Sequence, residues 1–439
     1  MGARAIGGTI DGAHAGDRKS IRQVAFASFV GTAVEWYDFF VYGTAAALVF
    51  PKLFFPHFDP LAATLASFAT FGVGFFARPI GGAVFGHLGD RIGRKYMLVA
   101  TLLLMGGATF LIGLLPTFSQ IGVMAPLLLV ALRFAQGFAV GGEWGGATLM
   151  AFEHAPERDR NFYASWPQLG VPAGLMLSTG VFAAFSLLPE DQFLGWGWRV
   201  AFLGSIVLIG VGLIIRLRIA ESPVFMRLKE RGMESKQPLL EVLRDHRRAL
   251  LTAIGVVFVS ISGFYLVTAF SLSYLTQQLG VSRSVALTGN VLYSFFEAVS
   301  ILIFARLADR VGKYRVAMIS AVGLALFSYP YFWLLSSRAP GLIWLAMSVW
   351  AFIGSALYAI TGPILADLFT ARLRCSGVSL GYQMAGMLAG APAPIIATYL
   401  LRWSGGAAGP VATYLAACCL VSVLAVWAAF RGKGIAPNT

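Results

Sequence analysis

Charge is what this 439-residue chain has little of: Asp, Glu, Lys and Arg make up 12% of it, against 58% hydrophobic residues. A soluble domain carries roughly twice that charged share, so water is not its main solvent. Cysteine is scarcer still. Cys375, Cys418 and Cys419 are too few for a disulfide framework or a zinc site, and read as small packing residues. His14, His57, His87, His154 and His246 fall in tails, loops or the ends of apolar runs, and none has the setting of a metal ligand. No Gly-x-x-x-x-Gly-Lys-Ser/Thr loop occurs, since Gly312-Lys313-Tyr314 lacks the hydroxyl, which argues against a nucleotide-driven pump. No nucleophile–base pair or metal constellation gathers in one place, so neither an enzyme nor a cofactor is expected. The short alternating segments of a membrane β-barrel are absent as well.

What fills the chain is long apolar runs. A bilayer core of about 30 Å needs about 20 apolar residues per helix. Runs of that order stand at 22–50, 61–86, 96–116, 125–152, 162–188 and 197–219, then at 249–278, 285–306, 315–336, 341–369, 376–401 and 410–430. The expected fold is an all-α membrane protein of twelve transmembrane helices. Gly and Pro recur inside the runs (Pro167, Pro172, Pro363, Pro392, Pro394). Membrane helices tolerate both where neighbours re-satisfy the backbone or pack closely. One long hydrophilic interval, 220–248, parts six runs from six, and its Glu230, Arg231, Glu234, Lys236, Glu241 and Arg244 suggest short amphipathic surface helices. The plan is then a disordered tail (1–20), a six-helix half (21–219), a linker (220–248), a second six-helix half (249–430) and a short tail (431–439). No cleavable signal peptide is evident in the polar, Gly-rich start.

The net charge of +13 invites a nucleic-acid reading, but its placement argues against one. One set of loops carries Arg4, Arg18, Lys19, Arg22, Arg91, Arg94, Lys95, Arg158, Arg160, the basic residues of 216–248 and 306–315, Arg372, Arg374, Arg431 and Lys433. The alternate loops carry Lys52, Arg199, Arg283, Arg338 and Arg402. That bias places both termini on the cytoplasmic side of an inner (plasma) membrane, with the lipid bilayer as solvent and no nucleic-acid partner.

The halves repeat one another. Gly86-His-Leu-Gly-Asp90-Arg91-Ile-Gly93-Arg94-Lys95 lies between runs two and three, and Ala305-Arg-Leu-Ala-Asp309-Arg310-Val-Gly312-Lys313 between runs eight and nine. A second echo sets Glu153, Arg158 and Arg160 against Asp367, Arg372 and Arg374. Two homologous six-helix halves are the build of many secondary transporters.

With these motifs the chain resembles the major facilitator superfamily over essentially its whole length. More narrowly it resembles the metabolite:proton symporter family, through Glu35-Trp-Tyr-Asp38-Phe-Phe-Val-Tyr-Gly43, Phe75-Phe-Ala-Arg78-Pro-Ile-Gly81-Gly82 and Arg133-Phe-Ala-Gln136-Gly137-Phe-Ala-Val-Gly141-Gly142-Glu143-Trp144-Gly145-Gly146. Tyr42 to Leu48, Phe68 to Gly74 and Gly195-Trp-Gly-Trp198-Arg199 look most like its shikimate transporter branch. The resemblance implies two pseudo-symmetric halves, alternating access, a monomer, and a proton-driven importer of a small hydroxylated or carboxylic metabolite. It also implies that Gly86, Asp90, Arg91, Gly93, Arg94 and Glu153 form a gate that closes the cytoplasmic side, echoed by Asp309 and Arg310. Ala305 replaces the first Gly of the second copy, which implies a less strict gate there.

Charges inside apolar runs are the informative residues, because each costs several kcal/mol unless paired or hydrated. The embedded set is Glu35, Asp38, Arg78, Arg133, Glu143 and Glu297, four acids against two bases. At 1.5 Å per residue, Asp38 lies roughly 24 Å and Arg133 roughly 28 Å from the inner helix ends, and Arg78 and Glu143 roughly 12–14 Å. Depth thus permits two pairs, Asp38–Arg133 and Arg78–Glu143. Asp38 is the expected proton-coupling acid, with Arg133 as its regulator; Glu35, three residues earlier on nearly the same face, would share the proton, contact substrate or bond a neighbouring backbone group. Burial favours a protonated carboxylate and a nearby guanidinium a charged one, so moving the pair would switch proton affinity. In related sugar transporters an acid and an Arg at these places pair, the resemblance adds. A static ion pair is the competing reading, and Arg78 could instead snorkel towards the cytoplasm. Asp90 stands near the start of the third helix, whose N-terminal amides would favour its charge.

Tyr37, Trp144, Trp166, Gln168, Tyr265, Asn290, Glu297, Tyr382 and Gln383 stand at mid-run and are the candidate substrate-cavity residues, although packing explains any one of them. The rival functions are a proton-coupled proline- or betaine-type osmolyte symporter, an uncoupled facilitator, a channel and a ligand-sensing receptor of the same fold. An embedded Arg suits an organic anion, and surplus acids suit a zwitterion or cation.

Overall fold

Backbone polar groups find no water inside a bilayer, so only structures that satisfy them internally can cross one. The chain meets this with helices. Its computed structural model describes residues 7–431 except 186 and 234, and among these no strand occurs; residues 1–6 and 432–439, parts of the expected tails, lie outside them. The main helices are α1 (Gly7–Leu48), α2 (Pro60–Arg91), α3 (Arg94–Leu114), α4 (Met124–His154), α5 (Gly170–Phe185), α6 (Glu190–Leu217), α7 (Arg247–Gln278), α8 (Arg283–Val311), α9 (Lys313–Ser336), α10 (Pro340–Leu368), α11 (Arg374–Trp403) and α12 (Gly409–Arg431). Eleven are long and apolar enough to cross a membrane.

The twelfth, α5, is the exception. The expected run 162–188 is divided into a short helix (Arg160–Ala164), a 3₁₀ turn (Trp166–Leu169) and α5 itself. Pro167 and Pro172 each remove a backbone donor there, which breaks a continuous ladder. A second difference lies at the start: α1 is helical from Gly7, so the stretch 7–20 expected as disordered continues the first helix. Between α6 and α7 stand two short helices, Pro223–Glu230 and Pro238–Asp245, the first capped by Ser222 Oγ, which accepts from the Phe225 amide at 3.2 Å.

Small residues set the closest contacts. Along the α2–α4 seam a methyl on Gly81 would fall 1.7 Å from the Phe138 carbonyl oxygen, and one on Gly141 2.3 Å from that of Arg78. Such backbone-to-backbone approach is how membrane helices gain packing without a hydrophobic drive. Across the halves, α2 and α4 meet α11, α4 also meets α10, and the segment leading into α5 meets α8 and α10. These seams frame the site.

Candidate functional site

A cavity lies between the halves, walled mostly by aromatic and apolar side chains with a few polar groups, as small-molecule sites are. α1 and α2 contribute Trp36, Phe75 and Arg78; α7 to α11 contribute Phe264, Tyr265, Tyr293, Glu297, Trp350, Tyr358, Tyr382 and Gln383. Two helices bend to build it. α7 takes a π-helical turn at Leu266–Phe270, directly after Tyr265, and α11 one at Gly386–Gly390, just after Tyr382 and Gln383. Such turns redirect side chains and gather at functional sites.

Arg78 faces this cavity and, among the described residues, forms no ion pair with an acid. Its guanidinium lies over the rings of Phe75 (4.7 Å), Phe39 (4.8 Å) and Trp36 (6.0 Å) and meets the Tyr265 hydroxyl. Aromatic faces attract a cation but do not neutralise it. Glu297, also lining the cavity, is buried, and among the described residues no basic side chain pairs with it. A second layer supports the lining. Trp144 stacks on Tyr382 at 3.6 Å and donates through Nε1 to Gln168 Oε1 at 2.9 Å, while Gln168 donates to the Tyr358 carbonyl at 3.3 Å. Gln383 Nε2 donates to the carbonyls of Val140 and Gly141 at 3.3 and 3.2 Å, tying α11 to α4.

The acids of α1 sit elsewhere. Both carboxylate oxygens of Asp38 and one of Glu35 are buried without a hydrogen-bond donor in bonding geometry, though the Thr109 hydroxyl stands beside Asp38. Arg133 does not reach Asp38 directly. It donates to Gln136 Oε1 at 3.1 Å, and Gln136 donates to Thr109 Oγ1 at 2.7 Å. The Arg133 guanidinium meanwhile lies over the rings of Tyr42 (4.2 Å), Phe71 (4.6 Å) and Phe39 (5.2 Å). Glu143 pairs with Arg216 of α6 and accepts from Thr101 Oγ1 at 2.7 Å.

On the side bearing the basic loops, each copy of the repeated motif reaches across to the other half. Asp90 accepts from the backbone amides of Cys375 (3.1 Å) and Ser376 (2.8 Å), in the first turn of α11, and pairs with Arg94 at 3.2 Å. Asp309 accepts from the Asn161 amide (2.9 Å), its side-chain Nδ2 (2.8 Å) and the Phe162 amide (3.0 Å), in the segment leading into α5. Both are carboxylates at helix N-termini, where the exposed amides and the dipole favour them. Around the first copy, Glu153 meets Arg94 at 3.6 Å and Arg374 at 3.4 Å and accepts from Ser222 Oγ, while Arg94 also donates to the Ala371 carbonyl at 3.2 Å. Arg306 pairs with Asp159 at 2.7 Å beside the second copy. This face is closed.

Residues 24–242 match the family described as "Sugar (and other) transporter", and residues 252–437 match the "Major Facilitator Superfamily". The chain is 43% identical to the shikimate transporter of Escherichia coli K12 over 92% of this chain and 93% of that protein. It belongs to the major facilitator superfamily. To the inner membrane metabolite transport protein YhjE of the same organism it is 41% identical, over 93% of each. The superfamily's proton:xylose symporter XylE, solved with 6-bromo-6-deoxy-D-glucose, matches its fold with a TM-score of 0.74 at 16% identity, over 95% of this chain and 96% of that one. The protein is therefore a multi-pass metabolite transporter of the superfamily, not an enzyme.

Within that superfamily fold, the expected residues part company. Tyr265, Glu297, Tyr382 and Gln383 line the cavity, and Trp144 and Gln168 lie directly behind it. Tyr37 instead donates to the Ala201 carbonyl at 2.7 Å, pinning α1 to α6, and Asn290 Nδ2 donates to the Thr268 carbonyl at 3.1 Å; neither lines the cavity, nor does Trp166, which packs by Phe162. Neither expected ion pair forms. Asp38–Arg133 is replaced by the Gln136–Thr109 relay, because the Arg133 guanidinium is held among aromatic rings. Arg78–Glu143 is absent because Arg216 occupies Glu143 and Arg78 turns into the cavity. Asp90 caps α11 of the other half; α3, its own neighbour, is capped by Glu221, which accepts from the Arg94 amide at 3.0 Å. Arg91 and Arg310 are exposed and stand outside the gate network, whereas Gly86 packs against Ser376 and Gly93 turns the chain with φ 116°. Arg78 as a cavity residue, and Arg216, Glu221, Tyr293 and Tyr358 altogether, escaped the sequence reading.

Proposed function

We propose that the protein imports a small organic acid together with protons across the inner membrane, as a monomer working by alternating access, with its basic-loop face and both termini in the cytoplasm. The observation that carries this is Arg78: a guanidinium held in no ion pair among the described residues, facing a cavity between two halves. A buried cation without a counterion is costly, and an incoming carboxylate supplies one, through a charge-assisted hydrogen bond stronger than a neutral one. Tyr265, Tyr358, Tyr382 and Gln383 offer hydroxyls and an amide to a hydroxylated ring of the shikimate kind. Proton coupling is supported by the buried, unsatisfied carboxylates of Glu35 and Asp38, since intramembrane acids without a basic partner are mostly functional.

Uptake of labelled organic acids and osmolytes into proteoliposomes with an inward proton gradient tests this. A carboxylate accumulates above equilibrium, a protonophore abolishes the accumulation, and Arg78→Gln raises the half-saturation concentration about tenfold or more. Equilibration indifferent to the protonophore would instead establish a facilitator. A zwitterion of the proline or betaine type is the second reading, because Glu297 shares the cavity with Arg78. A zwitterion would lose binding in Glu297→Gln, whereas an organic acid would keep it.

A further inference from the structure

A second, smaller cavity lies against α1, and its lining shares no residue with the central one. Its polar wall is Glu35, Asp38, Thr101 and Glu143, and the rest is Gly31 and aliphatic side chains such as Val34, Leu102 and Met105. Arg216, from the last turn of α6, donates to both carboxylate oxygens of Glu143 and to the Leu98 carbonyl. It also lies flat on α1: a methyl placed on Gly31 would fall 2.1 Å from its Nη2 atom. Gly31 stands one helical turn before Glu35, so a single guanidinium touches α1, α3 and α4 around the chamber.

The charged and titratable groups facing this space are few. α1 brings Glu35, Asp38 and Tyr37, whose hydroxyl is spent on Ala201; α2 brings Arg78, which acts on Glu35 from the central cavity; α4 brings Glu143, and Arg133 at one remove through Gln136 and Thr109. α3 offers the hydroxyls of Thr101 and Thr109, α6 offers Arg216, and α10 and α11 bring Tyr358 and Tyr382, which act on Glu35 from the central cavity. Three carboxylates thus line one small space against one guanidinium in contact. Three buried negative charges with one compensating cation are not sustainable, so the surplus acids must hold protons or be rehydrated.

We propose that Arg216 is a positioning residue for the proton step: it holds Glu143 in an ion pair, leaving Glu35 and Asp38 as the pair that binds and releases the transported proton. The proposal rests on the proton-coupled reading above. The step is a simple acid–base exchange, in which a proton from the outer water joins a carboxylate oxygen of this pair. The O–H bond breaks again to cytoplasmic water once the basic-loop face opens. Without the guanidinium, the three acids share less positive charge and hold their protons more tightly, so release requires a higher pH.

Labelled shikimate uptake into proteoliposomes is measured against external pH, beside shikimate exchange at equal pH on both sides, for the native protein, Arg216→Gln, Arg216→Lys and Gly31→Ala. In Arg216→Gln the pH midpoint of uptake rises by about one unit or more, the size of effect an opposite charge in contact exerts on a carboxylate, while exchange persists. Arg216→Lys keeps the native midpoint to within a few tenths, and Gly31→Ala, which pushes the guanidinium off α1, moves it in the same direction by less. A native midpoint in Arg216→Gln, with uptake and exchange lowered in parallel, would reduce Arg216 to a helix clamp and overturn the proposal. If Arg216→Gln does not reach the membrane, Gly31→Ala decides: an unmoved midpoint there overturns it equally. Native protein that shows no gradient-driven accumulation refutes the coupled reading itself, a result separate from any of these.

Discussion

The two halves repeat one architecture but divide the chemistry. Besides Asp90, Arg94 and Glu153 at the ends of its helices, the first half buries Glu35, Asp38, Arg78, Arg133, Glu143 and Arg216; among the described residues, the matching helices of the second half bury Glu297 alone. The second half supplies most of the rings and hydroxyls of the cavity instead, among them Tyr265, Tyr293, Trp350, Tyr358 and Tyr382. A duplicated fold need not keep both copies of a costly feature. Buried charge is retained only where it works, because each such group lowers stability unless paired. On this reading the first half handles protons and supplies the substrate's counter-charge, and the second shapes the rest of the substrate site.

The sharpest break of that comparison is a pair of neutralising substitutions, one in each half. Asp38→Asn removes an acid with no donor and abolishes gradient-driven accumulation, leaving at most equilibration of substrate. Glu297→Gln keeps accumulation and raises the half-saturation concentration only a few-fold, since a neutral amide still serves a substrate hydroxyl. Uptake with and without protonophore reads both. If Glu297→Gln also loses accumulation, protons are not confined to the first half and the division falls.

Much of this was legible in the residues, and the misses have physical causes. The helical fold, the six-plus-six division and the repeated Asp motif follow from run length, loop charge and internal similarity, none of which needs a third dimension. Side-chain azimuth does. Depth along a helix allowed Asp38 to meet Arg133 and Arg78 to meet Glu143, but Arg133 points among Phe39, Tyr42 and Phe71, and Arg78 among Trp36, Phe39 and Phe75. Aromatic neighbours were treated as packing, although a guanidinium stacks well on them. Arg216 was counted with the loops because it stands at a helix end; the surplus of four embedded acids over two bases was the signal that a third base was missing. Asp90 was assigned to the helix beside it in the chain, and nothing local could point to α11 of the other half.

The closed face offers a second comparison. Asp90 is 2% exposed and sits in a buried network with Arg94, Glu153 and Arg374, while Asp309 is half-exposed and its neighbour Asp159 meets Arg306 at the surface. Removing a buried charged acceptor strands its donors and costs about 1–3 kcal/mol; at a half-exposed site water replaces much of the loss. Cys375 is a native reporter, since its amide donates to Asp90 and its side chain is fully buried. With Cys418 and Cys419 replaced by Ser, Asp90→Asn speeds alkylation of Cys375 by a membrane-permeant maleimide about tenfold, and Asp309→Asn about twofold. Equal acceleration would show that the two latches bear the same load and that burial does not rank them.

The smallest effect concerns the one departure of the second motif copy from the first, Ala305 in the place of Gly86. A methyl at Gly86 would fall 2.8 Å from Ser376 Cα and 3.2 Å from the Cys375 carbonyl oxygen, so backbone, not a yielding side chain, must move. That contact lies within the turn of α11 that Asp90 caps, and separating α2 from α11 there lengthens the cap hydrogen bonds as well. Ala305 already carries its methyl, fully buried, so the second half tolerates at this position what the first excludes. Gly86→Ala should therefore speed Cys375 alkylation a few-fold, less than Asp90→Asn because the carboxylate remains to re-form its bonds. Ala305→Gly should leave alkylation within about twofold of the parent, and cost only the roughly 1 kcal/mol of a lost buried methyl and a looser helix, read as a small fall in melting temperature. A silent Gly86→Ala would mean that α2 and α11 separate there without opening the latch, and closure would then rest on the charges of Asp90, Arg94 and Glu153 alone.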